Sequence, residues 1–208
     1  MPGINKYFEF KAQYRNLHEA FEQRKAVNFS YASTKLTAPC IFLSHRSTDK
    51  EAVRKIGEYI MKKGIDVFLD ADDPNLQAAV AINDHRAITA AIDLGVANST
   101  DLLAFLTKNS MSKESSSVWV PYEIGFAKRH GNYIAAIKSN DLETLPSYLE
   151  IVRRITGIET LNDYLREVLK RESESKPMSF SNYVSGLAGI LKETADSTHP
   201  LSAYLEIH

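Results

Sequence analysis

Cysteine is all but missing: Cys40 is the only one among 208 residues, so no internal disulfide framework can hold the fold, and no zinc-binding pattern occurs. Cys40 heads an apolar run and reads as a small buried side chain in a reducing compartment. Excess charge of one sign is missing too. Lys and Arg number 25 against 26 Asp and Glu, a net charge of -1, which removes the basic footprint that draws a protein to nucleic acid or an anionic membrane. No apolar run approaches the roughly 18 residues of a membrane span, and Met1-Pro2-Gly3-Ile4-Asn5-Lys6 has no apolar signal core. These absences predict a cytoplasmic protein with neither nucleic acid nor membrane as partner. No internal repeat is visible. Hydrophobic residues make up 44% and charged residues 25%, enough to bury the core of one full domain with additions, or of two small ones.

Three regions divide the chain. In residues 1–38, Tyr7, Phe10, Tyr14, Leu17 and Phe21 recur at helical spacing, giving an amphipathic helix with an aromatic stripe, and Asn28 to Lys35 reads as a linker. From Pro39 strands and helices alternate. Cys40-Ile41-Phe42-Leu43-Ser44 is a continuous apolar strand, followed by a capping box at Thr48-Asp49-Lys50-Glu51 and a helix stopped at Gly64. Ile65 to Leu69 is the second strand, ending in the acidic loop Asp70-Ala71-Asp72-Asp73-Pro74. One helix then leads to Gly95, Asp101 to Thr107 is the third strand, Tyr133 to Ile137 the fourth, and Ile151 to Ile158 holds a fifth. This alternation predicts a parallel sheet with helices on both faces, over residues 39–170. Residues 171–208 form a helical extension, with Phe180, Tyr183, Val184, Leu187, Ile190 and Leu191 on one face.

The stretch Ser115-Ser116-Ser117-Val118-Trp119-Val120-Pro121-Tyr122-Glu123 is a loop feeding a helix. Serine caps helix starts, and Pro121 is tolerated only near one. Trp119 and Glu123, four residues apart, share a helical face, with the carboxylate near the positive end of the helix dipole. Taken alone, the pair is most simply a core ring and a solvated carboxylate. Sites in such sheets lie outside the carboxyl ends of the strands. That edge collects Ser44-His45-Arg46, Asp70 to Asp73, Thr107-Lys108, Lys138-Ser139 and the approach to Glu123.

With Ile41-Phe42-Leu43-Ser44-His45, Val67-Phe68-Leu69-Asp70, Leu102 to Thr107, Trp119-x-x-x-Glu123 and Ile155-Thr156-Gly157-Ile158-Glu159 in this order, the chain resembles a Toll/interleukin-1 receptor (TIR) domain. The resemblance implies an α/β, flavodoxin-like fold with a five-stranded parallel sheet, here carrying helical extensions at both ends. Some TIR domains are assembly modules. Many bacterial and plant members cleave NAD at the nicotinamide–ribose bond, and several serve antiphage defence, as in Thoeris systems, by making a cyclic or modified ADP-ribose signal for a separate effector. On this resemblance Glu123 is the catalytic carboxylate, and Ser44, His45, Arg46, Asp70 and Trp119 bind substrate. NAD is then a substrate, with no other cofactor and no metal, and the chain self-associates through TIR surfaces or its terminal helices. The sequence departs from the family where a proline-glycine turn often follows the second strand, since Asp73-Pro74-Asn75 lacks the glycine.

Two other readings compete. A phosphoacceptor receiver domain shares the fold, and Thr107 and Lys138 match its hydroxyl and lysine. However, Ser44-His45 stands where that family needs an acidic pair, and Thr107 where it needs an aspartate, so the Mg²⁺ cage is missing. Asp70, Asp72 and Asp73 share one loop, where acids are more often solvated or capping than metal-binding. The remaining alternative to the enzyme is a non-catalytic TIR scaffold.

Overall fold

Strands that run apolar without alternation need cover on both faces, and the fold supplies it. The structure is a computed structural model and describes residues 39–69, 74–111, 119–174 and 199–207. The aromatic stripe of the first region, the loop Asp70–Asp73, the serines before Trp119 and the apolar face from Phe180 to Leu191 lie outside those residues. The strands are β1 (Cys40–Ser44), β2 (Asp66–Phe68), β3 (Asp101–Leu106), β4 (Tyr133–Lys138) and β5 (Arg153–Ile155). The helices are α1 (Lys50–Lys62), α2 (Pro74–Ala81), α3 (His85–Ala97), α4 (Trp119–His130) and α5 (Ile158–Glu174). All strand pairs are parallel, in the order β2-β1-β3-β4-β5. Strand order therefore reverses between β1 and β3, the position at which doubly wound sheets open a crevice.

Alternation along β1 sorts the core into two layers. Ile41 and Leu43 face Val53, Ile56 and Ile60 of α1 and Leu161, Leu165 and Val168 of α5. Cys40 and Phe42 face the other way, toward Ile88, Ile92 and Val96 of α3 and Val120 and Ile124 of α4. Ser44 continues the second series at the carboxyl end of β1. Gly64 and Gly131 take φ of 85° and 89°, the left-handed conformation that closes a helix, where glycine carries no Cβ penalty.

Three local features differ from the sequence expectations. The single helix expected before β3 is two, because Asn83 adopts φ 53° and Asp84 caps α3, its Oδ1 accepting from the backbone N–H of Arg86 at 3.1 Å and of Ala87 at 3.0 Å. Gly95 is not a stop but lies inside α3: a Cβ there would stand 2.5 Å from Phe68 Cε1 and 3.0 Å from Phe42 Cε2. The missing side chain lets the helix settle on the stacked Phe42–Phe68 pair, whose centroids lie 5.2 Å apart. The capping box at Thr48–Glu51 does not form, and Asp49, at the N-cap of α1, makes no side-chain capping bond.

Residues 199–207 return to the α1/α5 face. Leu201 and Leu205 are fully buried there, and the Tyr59 and His199 rings meet edge-on at 5.0 Å. Glu206 bridges Gly157 in parallel fashion, its carbonyl accepting from Ile158 N–H at 3.0 Å, while the Tyr204 carbonyl accepts from Asn140 N–H at 3.1 Å.

Candidate active site

Buried polar residues gather at the carboxyl edge of the sheet and on the helices beside it. Ser44 and His45 at the exit of β1, Asp49 at the start of α1, Thr107 after β3, Ser139 after β4 and Glu123 on α4 are all buried. Glu123 lies one turn into α4, at 1% exposure. A carboxylate so enclosed needs hydrogen-bond donors, since desolvating an unsatisfied anion costs several kcal/mol or more. Ser44 provides one: its hydroxyl donates to Glu123 Oε2 at 2.5 Å, joining residues 79 apart in sequence. The hydroxyl satisfies that oxygen and fixes the rotamer of the side chain.

Aromatic and hydroxyl contacts hold α4 in place. Trp119, half-buried, packs on the Phe42 layer and meets Tyr122 edge-on, with centroids 5.9 Å apart. The Tyr122 hydroxyl donates to Asp93 Oδ1 of α3 at 2.6 Å, and that bond to an anion pushes the phenol up to about 12.

His45 and Arg46 continue from Ser44, and both bond to backbone. The His45 Nδ1–H donates to the Leu43 carbonyl at 3.1 Å, a bond that keeps the proton on Nδ1 because a carbonyl can only accept. Arg46 Nη1 donates to the Asn109 carbonyl at 2.6 Å, tying the exit of β1 to that of β3. Its guanidinium has further donors in the same fork. Of the six residues read as a site from the sequence, Ser44 and Glu123 are in direct contact, His45 and Arg46 adjoin them on the same loop, and Trp119 stands one turn before Glu123. Asp70 lies outside the described residues.

A second tie between the strand exits has no counterpart in the sequence expectations. Thr107 Oγ1 donates to Asp49 Oδ2 at 3.0 Å, while Lys108 N–H donates to Asp141 Oδ2 at 3.3 Å. Burial raises the Asp49 carboxyl above its ordinary value, with Asp141 adding to the rise; the Thr107 and Thr48 hydrogen bonds and the charge of His45 oppose it. The sequence signal was Asp49 itself, an acid at a helix start, where a capping role is the simplest reading. Among the described residues, no three His, Cys, Asp or Glu side chains gather where they could hold a metal ion, and no helix is long and apolar enough to cross a membrane.

Compared with known protein families, residues 41–167 match the model of the TIR domain, more than half of the chain. No curated protein matches.

Proposed function

Because the chain belongs to the TIR domain family, we propose that it is an NAD-consuming member, cleaving the nicotinamide–ribose bond with Glu123 as the catalytic carboxylate. The observation that carries this reading is the buried Glu123 held by the Ser44 hydroxyl at the carboxyl edge of the sheet, beside the point of strand reversal.

The chemistry suits a lone anion. Nicotinamide is joined to ribose as a cationic pyridinium, so the C–N electron pair leaves with the ring nitrogen and no acid need protonate the leaving group. Ordinary glycosides, in contrast, require a second carboxyl for that purpose. What remains is positive charge developing on the ribose, which an enclosed carboxylate offsets far better than solvent does. Trp119 walls the ribose, while His45, Arg46 and Asp70 meet the phosphates or adenosine, Arg46 through its forked donors. If water adds to ribose C1 and loses a proton, the product is ADP-ribose; if a hydroxyl of the same molecule adds, the product is cyclic. In this reading NAD is the substrate, no other cofactor takes part, and self-association through TIR surfaces or the terminal helices completes the site. The product then signals to a separate effector in antiphage defence within the cytoplasm. Residues 39–170 form the enzymatic domain, with the flanking segments as additions.

One observation favours the scaffold alternative: a carboxylate at 1% exposure, bonded to a neighbouring hydroxyl, also fits a purely architectural polar pair. Incubating purified protein with NAD separates the two readings. The enzyme should release nicotinamide, and Glu123→Gln, which keeps shape and removes charge, should lower the rate by about 10² to 10³ while the melting temperature moves by only a few degrees. Wild-type turnover in Glu123→Gln, or no nicotinamide from the wild type, leaves the scaffold.

A further inference from the structure

Asp49 sits at the N-cap of α1, where an aspartate ordinarily accepts from the free N–H groups of the first helical turn, a bond contributing about 1 kcal/mol. It makes no such bond. Its side chain instead crosses to the next strand exit, is 92% shielded from solvent (8% exposed), and accepts from Thr107 Oγ1 at 3.0 Å. Thr107 is itself fixed in a tight turn: its N–H donates to Ser110 Oγ at 2.8 Å, and its Oγ1 accepts from Ser110 N–H at 3.2 Å. The hydroxyl therefore has its acceptor role filled and its proton committed to Asp49. The bond spans β1 and β3, the two strands between which the order reverses, and β1 ends on the Ser44 that holds Glu123.

We infer that Asp49 is a positioning residue for the Glu123 site: by accepting the Thr107 hydroxyl, it fastens the exit of β1 to the exit of β3 and so sets Ser44 against the Glu123 carboxylate. Two hydrogen bonds and a short run of chain transmit the effect. The Asp49 N–H donates to the Arg46 carbonyl at 2.8 Å, closing the turn; Arg46 is tied to Asn109; and His45-Arg46 leads straight back to Ser44. A cap serine would have served α1 more cheaply than a buried acid, whose carboxyl burial raises against the pull of Thr107, Thr48 and His45 and with the push of Asp141. The acid thus serves a contact outside the helix. Asp49 touches no reacting atom; it acts through Ser44.

The inference rests on the NAD-cleaving reading for its kinetic test, and a second measurement stands apart from it. Four variants are compared with wild type: Asp49→Ala, Asp49→Asn, Thr107→Val, and Asp49→Ala combined with Thr107→Val. Displacing a catalytic group by an ångström or less costs from a few-fold to about 10²-fold, so Asp49→Ala and Thr107→Val should each lower kcat for nicotinamide release about tenfold, with KM changed less than about twofold. The double variant should be no worse than the poorer single one, because both remove one bond. Asn, which retains the acceptor oxygen, should restore most of kcat. Multiplying losses in the double variant, or Asn as poor as Ala, would overturn the inference. In parallel, amide hydrogen exchange over residues 44–47 should quicken in Asp49→Ala and not in Asp49→Asn. Unchanged exchange in Asp49→Ala sinks the positioning role even if the protein cleaves no NAD, whereas quickened exchange without any NAD cleavage overturns only the proposed function.

Discussion

Asp101 begins β3 with a carboxylate at 1% exposure, and two of its partners, Tyr164 and Arg171, stand 63 and 70 residues later on α5. Its Oδ1 accepts from the Tyr164 hydroxyl at 3.1 Å and from Arg171, while its Oδ2 accepts from Thr100 Oγ1 at 2.8 Å. Arg171 also lies over the Tyr133 ring, 3.8 Å from its centroid. Burial nevertheless raises the Asp101 carboxyl, outweighing Arg171, Thr100 and Tyr164. An acid raised in the folded state favours folding fully below its unfolded pKa and loses that contribution as pH climbs through the folded value, and the ionised form it then takes leans on Arg171. Removing one partner of a buried pair costs about 3 to 5 kcal/mol, and Arg171→Met should show a loss of that order in urea unfolding at pH 7. At pH 4, closer to the titration of the raised carboxyl, the deficit should be smaller. Equal losses at both pH values would rule out this account.

At the level of single elements, two uses of glycine look alike in sequence and differ in space. Gly64 was legible as a helix stop because an apolar period ends there; Gly95 was misread because its purpose, the approach of α3 to Phe42 and Phe68, depends on strands far away in the chain. Both rings are buried and stacked, so neither can swing aside for a Cβ at 2.5 Å. Gly95→Ala should therefore destabilise by about 1 to 3 kcal/mol through overpacking, despite alanine's better helix propensity, as read from the denaturation midpoint. The break at Asn83-Asp84 had a local signal, a residue tolerant of positive φ before a good N-cap, masked by the apolar period running through it. β1 and β3 were legible because burial on both faces leaves an apolar run, while β5, with Arg153 and Arg154 exposed, was legible only by its place in the order of elements. Glu123 and Ser44 were legible as residues through the order of strand ends and the family resemblance. Their contact was not, since it joins side chains 79 positions apart, and neither was the Asp49–Thr107 bond, which overrides a local capping pattern across 58 positions.

Across the whole molecule, the family match ends at residue 167 while the core continues beyond it. Leu201 and Leu205 are fully buried against α1 and α5, and Lys55 Nζ donates to the Tyr204 hydroxyl at 3.3 Å. Leucine truncations at such sites cost about 2 to 5 kcal/mol each, so Leu201→Ala and Leu205→Ala should each lower the urea midpoint markedly, and a fragment lacking residues 199–207 should be less stable than the full chain. Midpoints unchanged in both variants would show that this segment only rests on the fold. The sheet itself ends in β2 and β5, each three residues long, and β5 turns the exposed Arg153 and Arg154 outward, Arg153 paired with Glu167 at 2.6 Å. A strand joining from another molecule would find only a short row of backbone groups, guarded by two cations at one end of the sheet. At the concentrations where long bare edges seed fibres, these margins offer little template, and the three apolar strands between them, β1, β3 and β4, are kept from edge-to-edge pairing.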